Sequence, residues 1–415
     1  MTTRTLLVWL PGRRVGELVQ DRGGLVTWVP NRAWEADDQH PRLGATFLQR
    51  PGAKRAGTGL PSWFENLLPD RGTELRRRLC ALYSLRDGQS FALLHALGHD
   101  LLGAVEARST DGDVGPDDEP TTSPEGATER IDEGTPRLSA LTGVQMKFSM
   151  SMVGRGLALP ASGPRGHWII KLPLAGFDEL PEIERTTMTW ARESGFDVPE
   201  HFTPELAKLS GIPAEWIGGA TRAFAVKRFD RRDDGTKIHQ EDLCQALDIL
   251  PGNKYGTGPP SISFDGALRF VTDFAGEPTG REMARRIGFM IASGNDDAHL
   301  KNWSLLWGAA TRPTLTPCYD LVSTISWPEF GWSRPEGPQL ALPLGGQRLF
   351  RHIDKGTLVA FAERSAQAWA KEEVMTGIVR AMEALHRLGR EVPERMRSAL
   401  DIHRKVVPVL NDVDH

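Results

Sequence analysis

IASGNDDAHLKNWSLLW, residues 291–307, is the stretch that decides how this sequence is interpreted. Six polar side chains fall within eight positions, between two apolar runs: Asn295, Asp296, Asp297, His299, Lys301 and Asn302. Because buried polar groups need hydrogen-bond partners, such a cluster lies either at a capped turn or along the wall of a site. Both interpretations fit the cluster taken alone, since Asn295 or Asp297 can cap a turn by bonding backbone amides.

The spacing of two of these residues favours the second interpretation. Asp297 and Asn302 have the D-x-x-x-x-N spacing of a kinase catalytic loop, in which the Asp accepts the proton of the substrate hydroxyl and the Asn binds a metal. Asp320 interrupts the strand-like run from Thr314 to Tyr319, and we expect it at the end of a strand, facing bound phosphates. Mg²⁺ prefers oxygen ligands and keeps several waters, so one Asp, one Asn and nucleotide oxygens suffice. The pattern predicts magnesium-dependent phosphoryl transfer.

A lysine and a glutamate upstream extend this pattern. HWIIKLP (167–173) puts Lys171 at the end of an apolar strand, and Glu184 follows on a predicted helix over residues 182–195. Protein kinases position the ATP phosphates with a strand lysine paired to a helix glutamate. Alone, Lys171 is also explained as a surface lysine with a buried stem, and Glu184 as a solvated helix residue. The order Lys, Glu, Asp, Asn, Asp indicates a protein-kinase layout.

The phosphate-binding loop is the least regular part of the pattern. The sequence has neither G-x-x-x-x-G-K-[ST] nor G-x-G-x-x-G, which disfavours a Walker-type nucleotide hydrolase. The best candidate is SALTGVQMKFS (139–149), before the lysine strand, where Gly143 permits close backbone approach and Gln145 and Lys147 can reach phosphate oxygens. A small-molecule kinase of the aminoglycoside type shares the D-x-x-x-x-N logic but leaves the first hundred or so residues unexplained.

Composition narrows the function classes. The chain has 415 residues, 40% apolar and 25% charged, as is typical of globular proteins. A net charge of −4 without a long basic run argues against a dedicated nucleic-acid binder. Cys80, Cys244 and Cys318 are too far apart to suggest a disulfide framework or a zinc site. No stretch approaches the ~20 apolar residues that span a bilayer, and we expect a cytoplasmic enzyme without membrane contact.

Four segments are expected along the chain. Residues 1–107 form an N-terminal module with strands and helices, and residues 108–136 form an acidic linker rich in Pro, Gly, Ser and Thr. Residues 137–230 alternate strand-like and helical patterns, whereas residues 231–415 carry mainly the helical period. This predicts an α+β fold with a mixed α/β N-terminal lobe, an extra N-terminal subdomain and an all-helical C-terminal lobe.

These segments together resemble the HipA family of serine/threonine-protein kinases, the toxins of bacterial toxin–antitoxin pairs. The resemblance covers nearly the whole chain, and the stretches that carry it include WFENLLPDRG (63–72), LTGVQMKFS (141–149), HWIIKLP (167–173), KRFDRR (227–232), NKYG (253–256), GNDDAHLKNWSLL (294–306) and YDLVS (319–323). DAHLKN together with YDLVS is specific for this family. The resemblance implies a two-lobed, protein-kinase-like fold and transfer of the ATP γ-phosphate to a protein serine.

Residue roles also follow from the resemblance. Asp297 corresponds to the catalytic base, with His299 and Lys301 in the same loop, and Asn302 and Asp320 correspond to the Mg²⁺ ligands. The implied ATP contacts are a phosphate loop, a lysine–glutamate pair and a hinge: Leu141, Thr142, Gly143, Val144, Gln145, Met146, Lys147, Lys171, Glu184, Lys227, Arg228 and Phe229. At this hinge, backbone groups are expected to recognise the adenine.

Regulation and partners are implied in the same way. HipA kinases inactivate themselves by phosphorylating a serine just before the phosphate loop, which adds charge where the ATP phosphates bind. That position is Ala140 here, and Ser139 and Ser149 are the candidates. The implied partners are a HipB-like helix-turn-helix antitoxin, through which the chain reaches DNA, and a protein substrate, in characterised relatives an aminoacyl-tRNA synthetase, whose phosphorylation stops translation and growth. The alternative is a catalytically weak corepressor with a kinase fold, acting with the antitoxin.

Overall fold

The computed structural model describes residues 3–37, 42–53, 55–57, 59–109, 147–153, 156–158, 166–173, 176–212, 217, 220–308, 312–327 and 336–411. Most of the predicted linker lies outside these residues, as do Ser139 and Leu141 to Met146. The chain divides into two compact units, residues 1–178 with 204–252 and residues 179–203 with 253–415. No helix among the described residues is long and apolar enough to cross a membrane.

The first unit begins with an antiparallel sheet in the order β4-β3-β2-β1-β5. Its strands are β1 (Arg4–Leu10), β2 (Arg13–Gln20), β3 (Val26–Pro30), β4 (Arg55–Gly57) and β5 (Glu106–Ser109). Alternate residues of β1 are buried, as expected for a sheet with one covered face. The strand-like stretches 6–10 and 25–29 are therefore confirmed.

Short helices complete the core of this module. They are α1 (Arg32–Glu35), α2 (Ala45–Gln49), α3 (Ser62–Glu65), α4 (Glu74–Leu82) and α5 (Ser90–Leu97). Trp28, Phe47, Trp63 and Phe64 form an aromatic cluster with ring centroids 5.1–6.2 Å apart. Burying large aromatic rings contributes much of the stability of a small core.

Five strands of a second sheet lie in the same unit, in the order β10-β7-β6-β8-β11. These strands are β6 (Lys147–Val153), β7 (Gly156–Ala158), β8 (Trp168–Lys171), β10 (Leu209–Ser210) and β11 (Phe224–Lys227). The strands predicted around residues 144–150, 167–173 and 223–229 are confirmed where they are described. β12 (His239–Asp242) follows, and its Asp242 caps the short helix α7 (Leu243–Ala246).

Two groups of contacts join the N-terminal module to later parts of the first unit. The carboxylate of Glu241 accepts bonds from the Ala45 amide at 2.8 Å and from Trp63 Nε1 at 3.0 Å. These buried bonds explain why residues 231–252 belong to this unit, whereas the sequence assigned them to the C-terminal lobe. The predicted domain boundaries themselves stay predictions.

The second group consists of four buried charges, which we call the Arg228 cluster: Arg228, Arg231, Asp100 and Asp230. The Arg228 guanidinium bonds Asp230 at 2.9 Å and Asp100 at 3.0 Å. Arg231 bonds the same two carboxylates at 3.0 Å. Each buried carboxylate is therefore shared by two guanidinium groups, as buried charges require.

The second unit is mainly helical. Its helices are α6 (Leu180–Glu193), α8 (Phe264–Ala275), α9 (Glu277–Ser293), α10 (Lys355–Ser365), α11 (Ala370–Leu388), α12 (Glu394–Val406) and α13 (Pro408–Asn411). The helical periodicity predicted over 182–195, 281–293 and 393–407 is confirmed. His403 on α12 is buried and bonds the carbonyl of Ile291 near the end of α9 at 2.8 Å, which fixes the helix that leads into the polar cluster.

The prediction that the C-terminal lobe is all-helical is wrong. Residues 253–415 also contain short strands: β13 (Ser304–Trp307), β14 (Thr314–Leu315), β15 (Gln339–Leu344) and β16 (Gln347–Leu349). The two-residue strand β9 (His201–Phe202) belongs to the earlier segment of the second unit, residues 179–203. β15 and β16 form a hairpin around Gly345 and Gly346, which both have positive φ. A Gly-Gly pair favours such a two-residue turn, so this hairpin had a local signal.

Close packing of α9 against α11 depends on two glycines. A Cβ at Gly377 would lie 2.0 Å from the carbonyl oxygen of Arg285, and one at Gly288 would lie 2.2 Å from that of Val374. We expect Gly377→Ala to destabilise the protein by about 1–3 kcal/mol, because the backbone cannot yield to the added methyl group. The urea midpoint at constant m-value measures this.

Gly266 on α8 provides the matched control. A Cβ there would meet Ser263 Oγ at 3.8 Å, an ordinary contact. Gly266→Ala is expected to leave stability unchanged or to raise it by up to ~1 kcal/mol, since alanine favours the helix. Equal midpoints for the Gly377→Ala and Gly266→Ala proteins would contradict the close-packing argument.

Candidate functional site

The polar cluster begins where α9 ends. Gly294 follows the helix in the left-handed conformation, with φ +61°, and a Cβ there would lie 2.4 Å from Ile325. Glycine adopts this conformation without strain and so ends the helix. The amide of Asn295 still bonds Met290 O at 3.2 Å. The chain therefore leaves the helix at a defined point and turns into the loop.

The loop is held by its own side chains. Asn295 Oδ1 accepts the Asp297 amide at 3.0 Å, and Asn302 Nδ2 donates to the Asp297 carbonyl at 2.9 Å. The cluster is thus a capped turn, as the first interpretation expected. Its carboxylate at Asp297 is nevertheless exposed, as a catalytic base must be to reach a substrate. The two interpretations of the sequence are compatible in one structure.

Asn302 and Asp320 line the same small pocket in the second unit. Asp320 does not end a strand as predicted, because β14 stops at Leu315; instead it adopts a left-handed conformation, with φ +56°. Such a conformation is strained for Asp and is found most often where function requires it. Asp320 and Asn302 both contribute to the lining of this pocket.

The donor types of this pair fit Mg²⁺. Because Asn302 Nδ2 is used inside the loop, Oδ1 is the atom left to bind a cation. Amide and carboxylate oxygens suit Mg²⁺, which takes few protein ligands. Among the described residues there is no cluster of three His, Cys, Asp or Glu side chains that would suit zinc or another transition metal.

His299 in the same loop is uncharged at neutral pH. It is buried, and burial lowers its pKa to about 4, although the nearby Asp297 carboxylate raises it. The imidazole is therefore uncharged at neutral pH and packs its ring edge-on against Tyr255, with 5.2 Å between centroids. Lys301 is also buried, and its carbonyl accepts the hydroxyl of Tyr319 at 2.8 Å. Their predicted catalytic roles stay predictions.

In the first unit, two lysines lie opposite each other on neighbouring strands of the second sheet. Lys147 on β6 is directly opposite Lys171 on β8, and both side chains are buried. Lys171 is in turn opposite Phe224, with its ammonium 5.5 Å from the ring centroid. Side chains of directly opposed residues lie about 4.5–5.5 Å apart at Cβ, so the two lysines project from the same face of the sheet. Their predicted contacts with ATP phosphates stay predictions.

The remaining residues for which the resemblance implies ATP contacts are Glu184 and the hinge residues 227–229. Glu184 is buried on α6 of the second unit, and its pairing with Lys171 stays a prediction. Lys227 forms an ion pair with Asp233 at 3.2 Å, and Phe229 is partly buried. The Arg228 guanidinium is fully used in its buried cluster, and the Arg228 amide donates to His167 O at 2.7 Å. Recognition of the adenine by backbone groups of residues 227–229 stays a prediction.

Ser149, one candidate for autophosphorylation, is buried on β6. Its hydroxyl donates to Gly166 O at 3.2 Å and accepts from Arg228 at 3.3 Å. Phosphorylation of Ser149 requires this strand to open. Ser139, the other candidate, lies outside the described residues, as does the phosphate loop up to Met146.

Sequence reasoning missed the partner of Asp297. The hydroxyl of Tyr255 donates to Asp297 Oδ1 at 2.6 Å. Tyr255 lies 42 residues earlier in the chain, inside the NKYG stretch that entered only as a point of family resemblance. No spacing rule connects the two residues, so the contact had no signal in the sequence.

Comparisons of the sequence with known proteins match both parts of the chain to one family. Residues 6–108 match the HipA N-terminal domain, and residues 139–388 match the HipA-like C-terminal domain. The putative kinase Y4dM of Sinorhizobium fredii is 35% identical over 337 residues, which are 78% of this chain and 78% of that protein. Putative kinase Y4mE of the same organism is 32% identical over 392 residues, covering 88% and 86%.

A solved structure confirms the predicted HipA-like α+β fold. HipA of Shewanella oneidensis, determined in a complex with HipB and its operator DNA, matches with a TM-score of 0.70 at 23% identity. The match covers 98% of this chain and 99% of that protein. With both HipA domains matched in their expected order and relatives above 30% identity over most of its length, the chain belongs to the HipA family.

Proposed function

We propose that this protein is an ATP- and Mg²⁺-dependent serine/threonine-protein kinase that acts as the toxin of a HipBA-type pair. The observation that carries the proposal is the exposed Asp297, held in a self-capped loop, together with the pocket lined by Asn302 of that loop and by Asp320, whose oxygens are of the type that suits Mg²⁺. The relatives' names support kinase chemistry in general.

The reaction follows from the roles of these residues. Asp297 accepts the proton of a serine hydroxyl while the hydroxyl oxygen bonds the γ-phosphorus, and the bond from that phosphorus to the β–γ bridging oxygen breaks to release ADP. Mg²⁺, when bound by Asn302 and Asp320, neutralises charge on the phosphates. Lys147 and Lys171 supply two further positive charges for the same purpose.

Partners are proposed from the family. The Shewanella relative was solved with HipB and operator DNA, which supports a HipB-like antitoxin as partner and DNA contact through it. The proposed substrate is a protein serine, with an aminoacyl-tRNA synthetase as the first candidate. Autophosphorylation near the phosphate loop, at Ser139 or Ser149, would inactivate the kinase. The proposed location is the cytoplasm, where these partners are found.

Calorimetric titration with ATP and Mg²⁺ tests the nucleotide site. Binding is expected for the parent and is expected to weaken by about tenfold or more in Lys171→Met, which removes a positive charge proposed to contact the phosphates. It should weaken similarly in Asp320→Asn, which removes a proposed Mg²⁺ ligand. Removal of the metal with EDTA should weaken binding to the parent and have little effect on Asp320→Asn.

Lys208→Met is the matched control, since Lys208 is exposed and its ion pair within the described part of the chain is with the exposed Glu205, at 3.0 Å. It should bind ATP like the parent. A parent protein that binds no ATP with Mg²⁺ would contradict the kinase proposal and favour the alternative, a corepressor with a kinase fold.

A further inference from the structure

We infer that Tyr255 is a positioning residue for the proposed phosphoryl transfer, because its hydroxyl fixes the carboxylate of Asp297. The inference rests on the proposed function and adds a residue to it. Among the described residues, the 2.6 Å bond from Tyr255 Oη is the only hydrogen bond that the Asp297 carboxylate accepts. The backbone of Asp297 is held by the loop, but its side chain depends on Tyr255 for its orientation.

The bond assigns different tasks to the two carboxylate oxygens. Oδ1 accepts the phenol, which leaves Oδ2 to accept the proton of the substrate hydroxyl. A phenol is a neutral donor, so it restrains the carboxylate without cancelling the charge that a base needs. Because Asp297 is exposed, water would otherwise compete for both oxygens and the side chain would sample several rotamers.

Tyr255 itself is held in place on both sides. The carbonyl of the preceding Lys254 accepts the Leu300 amide of the catalytic loop at 3.1 Å. The carbonyl of Tyr255 accepts a bond from Arg348 at 2.8 Å. Its ring lies edge-on to His299, at an interplanar angle of 80°. The phenol is therefore held in a fixed position, from which its hydroxyl can orient the exposed carboxylate of Asp297.

The residue after Tyr255 must be a glycine for the chain to turn at this point. Gly256 has φ +66°, and a Cβ there would lie 2.0 Å from the carbonyl oxygen of Ile262. The chain can therefore turn closely after Tyr255 only with glycine at this position. The amide of Ile262 donates to the carbonyl of Gly256 at 3.3 Å, which closes this turn directly after Tyr255.

Steady-state kinetics of Tyr255→Phe test the inference. Phenylalanine keeps the ring contact with His299 and removes only the hydroxyl. We expect kcat to fall about tenfold, since misorientation of a base reduces the fraction of productive complexes. The KM for ATP should stay within about twofold, because Tyr255 is not placed at the phosphates. Tyr83→Phe, which alters a tyrosine next to α4 in the first unit, should match the parent.

A double-mutant cycle gives a second measurement that does not depend on activity. Equilibrium unfolding of Tyr255→Phe, Asp297→Ala and the double variant should show coupling of about fivefold or more in the unfolding constant, because the charged hydrogen bond is lost once. Parent-like kcat in Tyr255→Phe, a parallel rise in the KM for ATP, or no coupling would each overturn the inference. If instead the parent and Asp297→Ala transfer phosphate equally, the proposed function itself fails.

Discussion

Replacement of Asp297 by Asn is expected to lower ATP-dependent phosphoryl transfer by about 10²- to 10⁴-fold, the usual contribution of a general base. Asparagine has nearly the same shape and keeps an oxygen that can accept the hydroxyl of Tyr255, so the loop should stay folded. What it cannot do is take up a proton at neutral pH. Initial rates of phosphate transfer to a protein acceptor, and growth arrest on expression, measure the loss.

Asp401→Asn is the control for this prediction, because Asp401 is an exposed residue of α12. It removes the same charge and should leave both the rate and the growth phenotype unchanged. Thermal midpoints of both variants should equal that of the parent. If the Asp297→Asn protein keeps more than about a third of the parent rate, Asp297 is not the base.

Replacement of Arg228 by Met is expected to destabilise the first unit by about 3–5 kcal/mol, the range for breaking a buried ion pair. The Arg228 side chain is 0% exposed, and Asp230 is 3% exposed. Without the guanidinium, the carboxylates of Asp230 and Asp100 would each lose one of the two guanidinium groups that they share. Arg228 and Arg231 hold the pKa values of both carboxyl groups below the usual range, which keeps them charged in the folded protein.

The neighbouring Lys227→Met provides the matched control for stability. Lys227 pairs with Asp233, which is 86% exposed, so water can replace the lost partner. Its cost is expected to stay within about 1 kcal/mol, as for surface ion pairs. Denaturant unfolding of both variants, followed by tryptophan fluorescence, makes the comparison. Equal destabilisation by the two changes would show that the Arg228 cluster does not stabilise this unit.

Local patterns in the sequence determined many of the strands and helices of this protein. Strands such as residues 6–10 and helices such as 281–293 followed from the spacing of apolar residues, because each periodicity matches one kind of backbone. The chemistry of the polar loop also followed from spacing, since Asp297 and Asn302 belong to one short turn that closes on itself. Neither inference needed a contact between distant parts of the chain.

The tertiary structure alone decided the features that depend on distant residues. Lys147 and Lys171 face each other because of strand register, and Arg228 is enclosed by Asp100, which is 128 residues away. Asp297 is oriented by Tyr255, 42 residues away. Periodicity and spacing describe how a segment folds, but not which segments meet, because that choice minimises the free energy of the whole chain. The carboxylate at the centre of the site was therefore readable from the sequence, whereas the hydroxyl that orients it was not.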